Sequence, residues 1–585
     1  MDREKLTALA KEYMAQESDP RFRGEVEKLL KDGDFDDLND RFYTFLSFGT
    51  GGLRGMIGGG YNRMNPLMVR RATQGLANYV LKQRGGEAPS AVIAYDSRRF
   101  SPVFAEEAAL VLCANGIKCY LFTSLRPTPE LSFAVRRLGA TTGIVVTASH
   151  NPPAYNGYKV YWSDGGQIIH PHDAAIIKEV QAVSDRILSL SAEEARARGL
   201  LVDIDTEIDD AYVAMVKGHA LRPQLLKTRG AEVTVVYTPL HGAGRMPVER
   251  VMHEMGVEVV TVPEQREPDG EFPTVDYPNP EEASAMKLSL ELGERVKADL
   301  VMGTDPDSDR LGIAVPGTSG FVLITGNQLG ALLCDYIFST RKELGTMPAK
   351  PAFVNTIVTT DLQRKIAKSY GASVYEVLTG FKYIADVMRR LESTGESFLL
   401  GAEESYGFLV ETEVHDKDAV SAAMMATEMA LYHRSEGRTV LDALHRLYER
   451  YGYYRELLLS RGFGGQEGLE KMKKLMTALR SDPPKSFGPG RVITMKDFQT
   501  GVTTRIDASG KRSTATDIDL PSSDVLQFYL DEGSIVTVRP SGTEPKIKFY
   551  ASCCSAPGTP LASAEKEVGE RIAAIEGAID RIMAG

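Results

Sequence analysis

The chain is sparing with the residues that would mark it as a disulfide scaffold, a thiolate metal protein or a membrane span. Its 585 residues include five cysteines, Cys113, Cys119, Cys334, Cys553 and Cys554. The count is odd and no pair has metal-ligand spacing, so reduced thiols of the cytoplasmic kind are expected, Cys553 and Cys554 included. No apolar run approaches the roughly 20 residues that cross a bilayer. The start, Met1-Asp-Arg-Glu-Lys5, is charged and helical in character and lacks a secretory pattern. No low-complexity tract interrupts the chain. The single tryptophan, Trp162, carries no chemistry by itself and is expected to pack near a loop of the first domain. A formal net charge of -11 speaks against general nucleic-acid affinity. Any anionic substrate must therefore be held by local positive charge.

What is present is an ordinary globular composition, 43% hydrophobic and 25% charged. The chain is too long for one core, and about four domains are expected.

Four polar loops follow short apolar runs. The first is Thr147-Ala-Ser-His-Asn-Pro-Pro153, after Gly143-Ile-Val-Val146. It places one serine at a strand end, beside His150 and Asn151, and its two prolines forbid a helix there. A hydroxyl so placed suits a covalent phosphate carrier; a plain polar turn is the alternative. The second is Gly303-Thr-Asp-Pro-Asp-Ser-Asp-Arg310, after Leu300-Val-Met302. Its alternating aspartates, read as an extended loop, face one side and make an all-oxygen site suited to Mg²⁺. An EF-hand would need glycine and glutamate where Arg310 and Pro316 stand. The third is Gly401-Ala-Glu-Glu-Ser-Tyr-Gly407, in which Glu403 and Ser405 can grip vicinal hydroxyls. The fourth, Arg539-Pro-Ser-Gly-Thr-Glu-Pro-Lys-Ile-Lys548, has the guanidinium, hydroxyls, glycine and lysines of a phosphate clamp.

In order and in residue content these loops resemble the four active-site loops of the α-D-phosphohexomutases, one per domain. Phe48-Gly-Thr-Gly-Gly-Leu-Arg-Gly55 and Asn156-Gly-Tyr-Lys159 are similar to the longer phosphoglucomutase/phosphomannomutase branch. The resemblance spans nearly the whole chain. One departure is Ala402, where many members have glycine. The expected fold is three similar α/β domains with mixed sheets plus a C-terminal α+β domain, arranged around one central cleft. The expected divisions are 1–225, with an N-terminal helical cap and the serine loop; 226–345, with the metal loop; 346–455, with the sugar loop; and 456–585, with the phosphate clamp. A faint internal repeat agrees: the strand pairs Val92–Tyr95 with Gly143–Val146, Val233–Val236 with Leu300–Met302, and Phe353–Val354 with Phe398–Leu400. Such sheets place ligands beyond the carboxyl ends of their strands.

The resemblance implies an intramolecular phosphotransferase, formally an isomerase, that interconverts hexose 1-phosphate and hexose 6-phosphate through glucose 1,6-bisphosphate. Ser149 would be the phosphate store, and Mg²⁺ would be held by Asp305, Asp307, Asp309 and a Ser149 phosphate oxygen. Lys159 matches the family's general acid/base, and its ammonium pKa, about 10.4 when free, would have to fall for it to act as a base. His150 and Arg54 would steady the serine loop. Glu403 and Ser405 would hold the sugar hydroxyls, with Lys382 a further contact. Arg310, Arg539, Ser541, Gly542, Thr543 and Lys548 would hold phosphate. Phosphopentomutase and glucose 1,6-bisphosphate synthase are sister activities within the same branch. A phosphoserine-dependent phosphatase would use the same serine and aspartates, but has no need of a sugar grip and a distal clamp. A catalytically dead binding protein fits poorly, because every group the chemistry requires is present.

Overall fold

A computed structural model describes residues 1–49, 51–83, 88–184, 186–463, 465–540 and 546–584. The chain packs as two compact units. One comprises Met1–Leu329, Ile384–Gly401 and Ser405–Glu436; the other comprises Gly330–Tyr383, Ala402–Glu404 and Gly437–Gly585.

The first unit opens with three helices, Arg3–Gln16, Pro20–Asp32 and Phe35–Phe42. Each begins on an aspartate (Asp2, Asp19, Asp34) whose carboxylate accepts a backbone N–H of the first turn. Their apolar faces close over Tyr61, Leu67 and Met68, with Tyr13, Phe42 and Tyr61 meeting edge to face at 5.5 to 5.8 Å.

Two mixed sheets follow. The first uses β1 (Gly52–Met56), β2 (Ser90–Tyr95), β3 (Lys118–Phe122), β4 (Thr142–Val146), β5 (Tyr155–Trp162) and β6 (Leu201–Ile204), in the order β1-β5-β4-β2-β3-β6. β4 runs parallel to β2 but antiparallel to β5. The second uses β7 (Val235–Thr238), β8 (Val259–Thr261), β9 (Leu300–Thr304), β10 (Leu311–Gly317) and β11 (Gly320–Ile324), in the order β11-β10-β9-β7-β8. β9 runs parallel to β7 but antiparallel to β10. In both sheets the motif loop joins the outermost strand of the parallel block to its antiparallel neighbour. This shared position is the physical form of the sequence repeat. β4 and β9 are buried at every residue, so they read as continuous apolar runs without alternation. The expected strand at Val233–Val236 lies two residues later, because a 3₁₀ turn occupies Gly230–Glu232.

The third α/β stretch carries β12 (Pro351–Thr356), β13 (Ser373–Val377), β14 (Ser397–Ala402) and β15 (Phe408–Leu409); β12 and β13 pair in parallel in the second unit. The C-terminal sheet is antiparallel throughout. It runs β16 (Tyr454–Gly462), β23 (Lys546–Cys554), β22 (Ile535–Pro540), β21 (Leu526–Leu530), β18 (Gly490–Asp497), β19 (Val502–Ile506), β20 (Arg512–Thr516), with β17 (Ser486–Phe487) beside β18. The helices Gly465–Ser481 and Leu561–Ala584 contribute Met472, Met476, Val568, Ile572 and Ile575 to its core. This is the expected α+β domain. No helix among the described residues is long and apolar enough to cross a membrane. Cys113, Cys119, Cys334 and Cys553 are buried, and all five thiols are free.

Helices Pro66–Gln83 and His172–Ala182 cross at Gly75, where a Cβ would come within 2.5 Å of Val180 Cγ2 and 2.6 Å of its backbone. Gly75→Ala is expected to lower the thermal unfolding midpoint. The overpacking cost of about 1–3 kcal/mol outweighs the roughly 1 kcal/mol helix-propensity gain. A raised midpoint would show that these helices separate freely.

Candidate active site

Ser149 leaves β4 in the left-handed region, at φ 53, and is 4% exposed. Both of its peptide groups are held. Its N–H donates to Thr147 Oγ1 at 2.8 Å, and Thr147 in turn donates to Asp96 Oδ2 at 2.6 Å. Its carbonyl accepts from Arg98 Nη2 at 2.5 Å. The hydroxyl donates to Asp305 Oδ2 at 2.7 Å and lies 3.1 Å from His150 Nδ1. With that hydrogen directed at Asp305, the second contact requires His150 to donate through Nδ1–H. Burial, then the charges of Arg310 and Arg54, keep the His150 pKa well below the usual imidazole range, so the ring is neutral.

The aspartate loop departs from the sequence expectation in shape. It is a tight turn with Ser308 at φ 53, not an extended segment. The carboxylates converge all the same, because the turn folds around Asp305, whose Oδ1 accepts the N–H groups of Asp309 and Arg310 at 3.0 Å each. One oxygen from each of Asp305, Asp307 and Asp309 falls within 4.8 Å of the others, and all three residues are buried. Asp307 Oδ1 and Asp309 Oδ1 are buried without a hydrogen-bond partner among the described residues. Buried acceptors are rarely left unmet, and a hard, oxygen-seeking cation would satisfy both. The residues present therefore fit a divalent metal.

Two ammonium groups offset the carboxylates. Lys159, on β5, lies 2.8 Å from Asp307 Oδ2 and 3.4 Å from Asp309 Oδ2. Burial pulls its pKa down, but Asp307 and Asp309 outweigh burial and the net direction is up. This is opposite to the fall expected of a base. Lys417 lies 3.0 Å from Asp309 Oδ2 and was not singled out by the sequence motifs. It is delivered by a loop that Tyr161 ties down through Asp416 at 2.6 Å, ahead of the helix Ala419–Ser435 that Asp418 caps. A lysine between two aspartates at a helix start was the available signal. Thr128, donating to Asp307 Oδ2 at 2.9 Å, and the Asp96–Arg98 pair were also missed. Asp96-Ser-Arg98 does sit in the loop after a predicted strand, Val92–Tyr95.

Arg54 is exposed on β1, opposite Gly157 of β5. Arg310 pairs with Glu281 and braces Asp305 through its backbone N–H. Ser405 belongs to the first unit.

In the second unit, Glu403 is buried at the end of β14 and accepts the Gly380 N–H at 3.1 Å, while Glu404 is held by Thr356 and Thr359 at 3.1 and 3.0 Å. Lys382 Nζ lies 5.3 Å from the Tyr383 ring centre. Arg539 and Lys548 face each other in register on β22 and β23. Tyr550 lies near both this pair and the glutamates: burial and then Glu404 push its pKa up to about 12, against the charge and hydrogen bond of Arg539. Ser541, Gly542 and Thr543 lie outside the described residues.

A serine hydroxyl aimed at a buried carboxylate triad, flanked by lysines, is the equipment of a metal-assisted phosphoryl-transfer enzyme. Comparison with known proteins agrees. The models of phosphoglucomutase/phosphomannomutase α/β/α domains I, II and III match residues 46–186, 210–318 and 325–451, and that of the C-terminal domain matches 495–558. The chain belongs to the phosphoglucomutase/phosphomannomutase family. It is 37% identical over 513 residues to a phosphoglucomutase of Staphylococcus epidermidis, covering 87% of this chain and 91% of that one. It is 34% identical over 578 residues to a phosphopentomutase of Homo sapiens, covering 94% and 92%. The crystal structure of the Paramecium phosphoglucomutase parafusin shares the fold, with a TM-score of 0.69 at 18% identity over 92% of this chain and 95% of that one.

The three aspartates differ in electrostatic state. Burial, then Asp307 and Asp309, push the Asp305 carboxyl well above its ordinary range, whereas Lys159 overcomes burial and holds Asp307 below it. A carboxyl raised on folding loses stability as pH climbs from its unfolded toward its folded pKa, and a lowered one contributes stability above its unfolded pKa. The repulsion thus rests on Asp305. In metal-free protein at pH 7, Asp305→Asn is expected to raise the melting midpoint and Asp307→Asn to lower it. Both should weaken Mg²⁺ binding by at least about tenfold, as read by calorimetry. The reverse order of midpoints would reject this charge assignment.

Proposed function

We propose that the protein is a phosphohexomutase that interconverts hexose 1-phosphate and hexose 6-phosphate, with Ser149 as the phosphate carrier. The observation that carries this reading is the aim of the Ser149 hydroxyl at Asp305, 2.7 Å away within the triad. Ser149 Oγ would pass its phosphoryl group to the free hydroxyl of the sugar monophosphate, taking up a proton as that hydroxyl loses one and giving a 1,6-bisphosphate. On return Ser149 Oγ would take the phosphoryl group from the other end, its hydroxyl proton replacing the one that the departing sugar oxygen gains. Mg²⁺ bound by Asp305, Asp307, Asp309 and an oxygen carried on Ser149 would supply neutralisation of the phosphoryl charge.

The chain's own groups do the rest. Neutral His150 donates to Ser149 Oγ and stabilises the oxygen as its bond to phosphorus breaks. Lys159, an ammonium in the metal-free site, is a proton source for the departing sugar oxygen. Lys417 and Arg54 add positive charge where phosphate approaches. Glu403 and Ser405 would hold the sugar hydroxyls, with Lys382 as a further contact. Arg539, Lys548 and the segment Ser541, Gly542 and Thr543 would hold the phosphate that is not in transfer, with Arg310 a further phosphate contact. Such division of labour suits a reaction that depends on positioning and charge.

A second reading, turnover of pentose 1-phosphate, is favoured by the human phosphopentomutase, which matches 94% of the chain. Product formation from glucose 1-phosphate, mannose 1-phosphate and ribose 1-phosphate, with Mg²⁺ and a trace of glucose 1,6-bisphosphate, separates the readings. A hexose 6-phosphate is expected as the main product. Ribose preference would transfer the chain to the pentomutases, and free phosphate as the main product would make it a hydrolase. Ser149→Ala is expected to lower turnover by more than about 10³-fold, with an unfolding midpoint close to that of the unsubstituted protein. Retained turnover in that variant would overturn the phosphoserine assignment.

A further inference from the structure

The loop that carries Ser149 has a shortage of donors. Pro152 and Pro153 contribute carbonyls but no N–H, and the backbone N–H groups of Thr147, Asn151 and Tyr155 reach only the carbonyls of Gly157, Ala148 and Pro152. Arg98 supplies what is missing. Its Nη2 donates to the carbonyls of Ser149, at 2.5 Å, and Asn151; its Nη1 donates to those of Pro152 at 2.9 Å and Tyr155 at 3.1 Å. The side chain is 0% exposed, and Asp96 lies 3.4 Å from its Nε. A planar fork of donors without an acceptor can serve four carbonyls at once, which a lysine ammonium with three tetrahedral donors cannot.

The guanidinium is also covered by the second α/β domain. The Phe272 ring centre lies 5.0 Å from Arg98 Cζ, and Phe272 is buried with φ 47, a strained backbone for an aromatic residue. The approach is close because residue 270 is glycine: a Cβ there would lie 2.6 Å from Arg99 N and 2.7 Å from Ser97 O. His241 ties the same loop through the Glu267 carbonyl at 3.2 Å and Thr274 Oγ1 at 2.9 Å. Ser149 and Asp305 stand in different domains of the first unit, yet their distance must be right for transfer. Arg98 touches the loop of one and the covering segment of the other.

We propose that Arg98 is the positioning residue of the reaction: it fixes the left-handed conformation of Ser149 by its carbonyl, while Phe272 clamps the guanidinium so that Oγ stays aimed at the aspartate triad. The proposal rests on the reading of Ser149 as phosphate carrier. Arg98 holds the serine loop through backbone carbonyls only, so its loss acts on the transfer step and not on binding of the distal phosphate.

The test compares unsubstituted protein with Arg98→Lys and Phe272→Leu. Each is followed by steady-state turnover of glucose 1-phosphate with Mg²⁺, by the rate at which glucose 1,6-bisphosphate adds a phosphate to the intact protein mass, and by the melting midpoint. Arg98→Lys is expected to lower kcat by about 10²-fold with KM within about threefold, and to slow phosphate uptake in parallel. Phe272→Leu is expected to lower kcat by about threefold to tenfold, again with little change in KM. A kcat within threefold of the unsubstituted value in folded Arg98→Lys, or a loss confined to KM, would overturn the proposal. Where Arg98→Lys yields no folded protein, Phe272→Leu decides: unaltered kcat and phosphate uptake overturn it. Inactive unsubstituted protein would overturn the mutase reading itself, an outcome distinct from active protein indifferent to Arg98.

Discussion

Three carboxylates buried at the end of one strand are the constraint around which the first unit is organised. Asp305, Asp307 and Asp309 are each at most 2% exposed, and like charges so placed cannot all ionise without compensation. The compensation is built from several distant stretches of chain: Lys159 from the return strand of the first sheet, Lys417 from the loop before a late helix, Thr128 from a helix N-terminus, and the hydroxyl of Ser149. Two carboxylate oxygens remain unmet among the described residues, and a divalent cation would satisfy them. Stability and function are in tension here, since the charge that would hold the metal is the charge that strains the metal-free fold.

That arrangement depends on topology. In both sheets of the first unit the loop that matters leaves the outermost strand of the parallel block and returns antiparallel, so equivalent loops occupy equivalent strand ends. Side-chain chemistry differs between the copies while backbone position does not. Ser149 and Ser308 occupy the same left-handed conformation, φ 53 in each. Such backbone strain at a reactive turn persists only where surrounding contacts over-determine it, and the Thr147, Asp96 and Arg98 contacts do so for Ser149.

Much of this was legible in the chain. The strand runs before Ser149, Asp305 and Glu403 were apolar and bounded by polar turns, which is how fully buried strands read. Asp-Pro-Asp-Ser-Asp announced a hard-cation site by residue type alone. Two inferences did not survive. The aspartates do not alternate along an extended segment; they are gathered by a turn around Asp305. The net direction of the Lys159 pKa is up, because Asp307 and Asp309 outweigh the downward pull of burial and of Lys417. Sequence spacing says which charges are close along the chain, and the charges that set a pKa are those close in space.

The division between the two levels follows from this. Motif residues, strand ends and the family all derive from local pattern, because a serine or an aspartate at a strand end is a property of a few consecutive residues. Lys417, 108 positions beyond Asp309, and Arg98, 51 positions before Ser149, each sit in a suggestive local setting, but nothing local says which distant group they meet. Only packing brings the one ammonium to 3.0 Å from a carboxylate and the one guanidinium to four carbonyls around a loop short of donors. Residue type determines what chemistry is available, and tertiary structure decides which charges meet, because Coulomb and hydrogen-bond energies depend on distance through space.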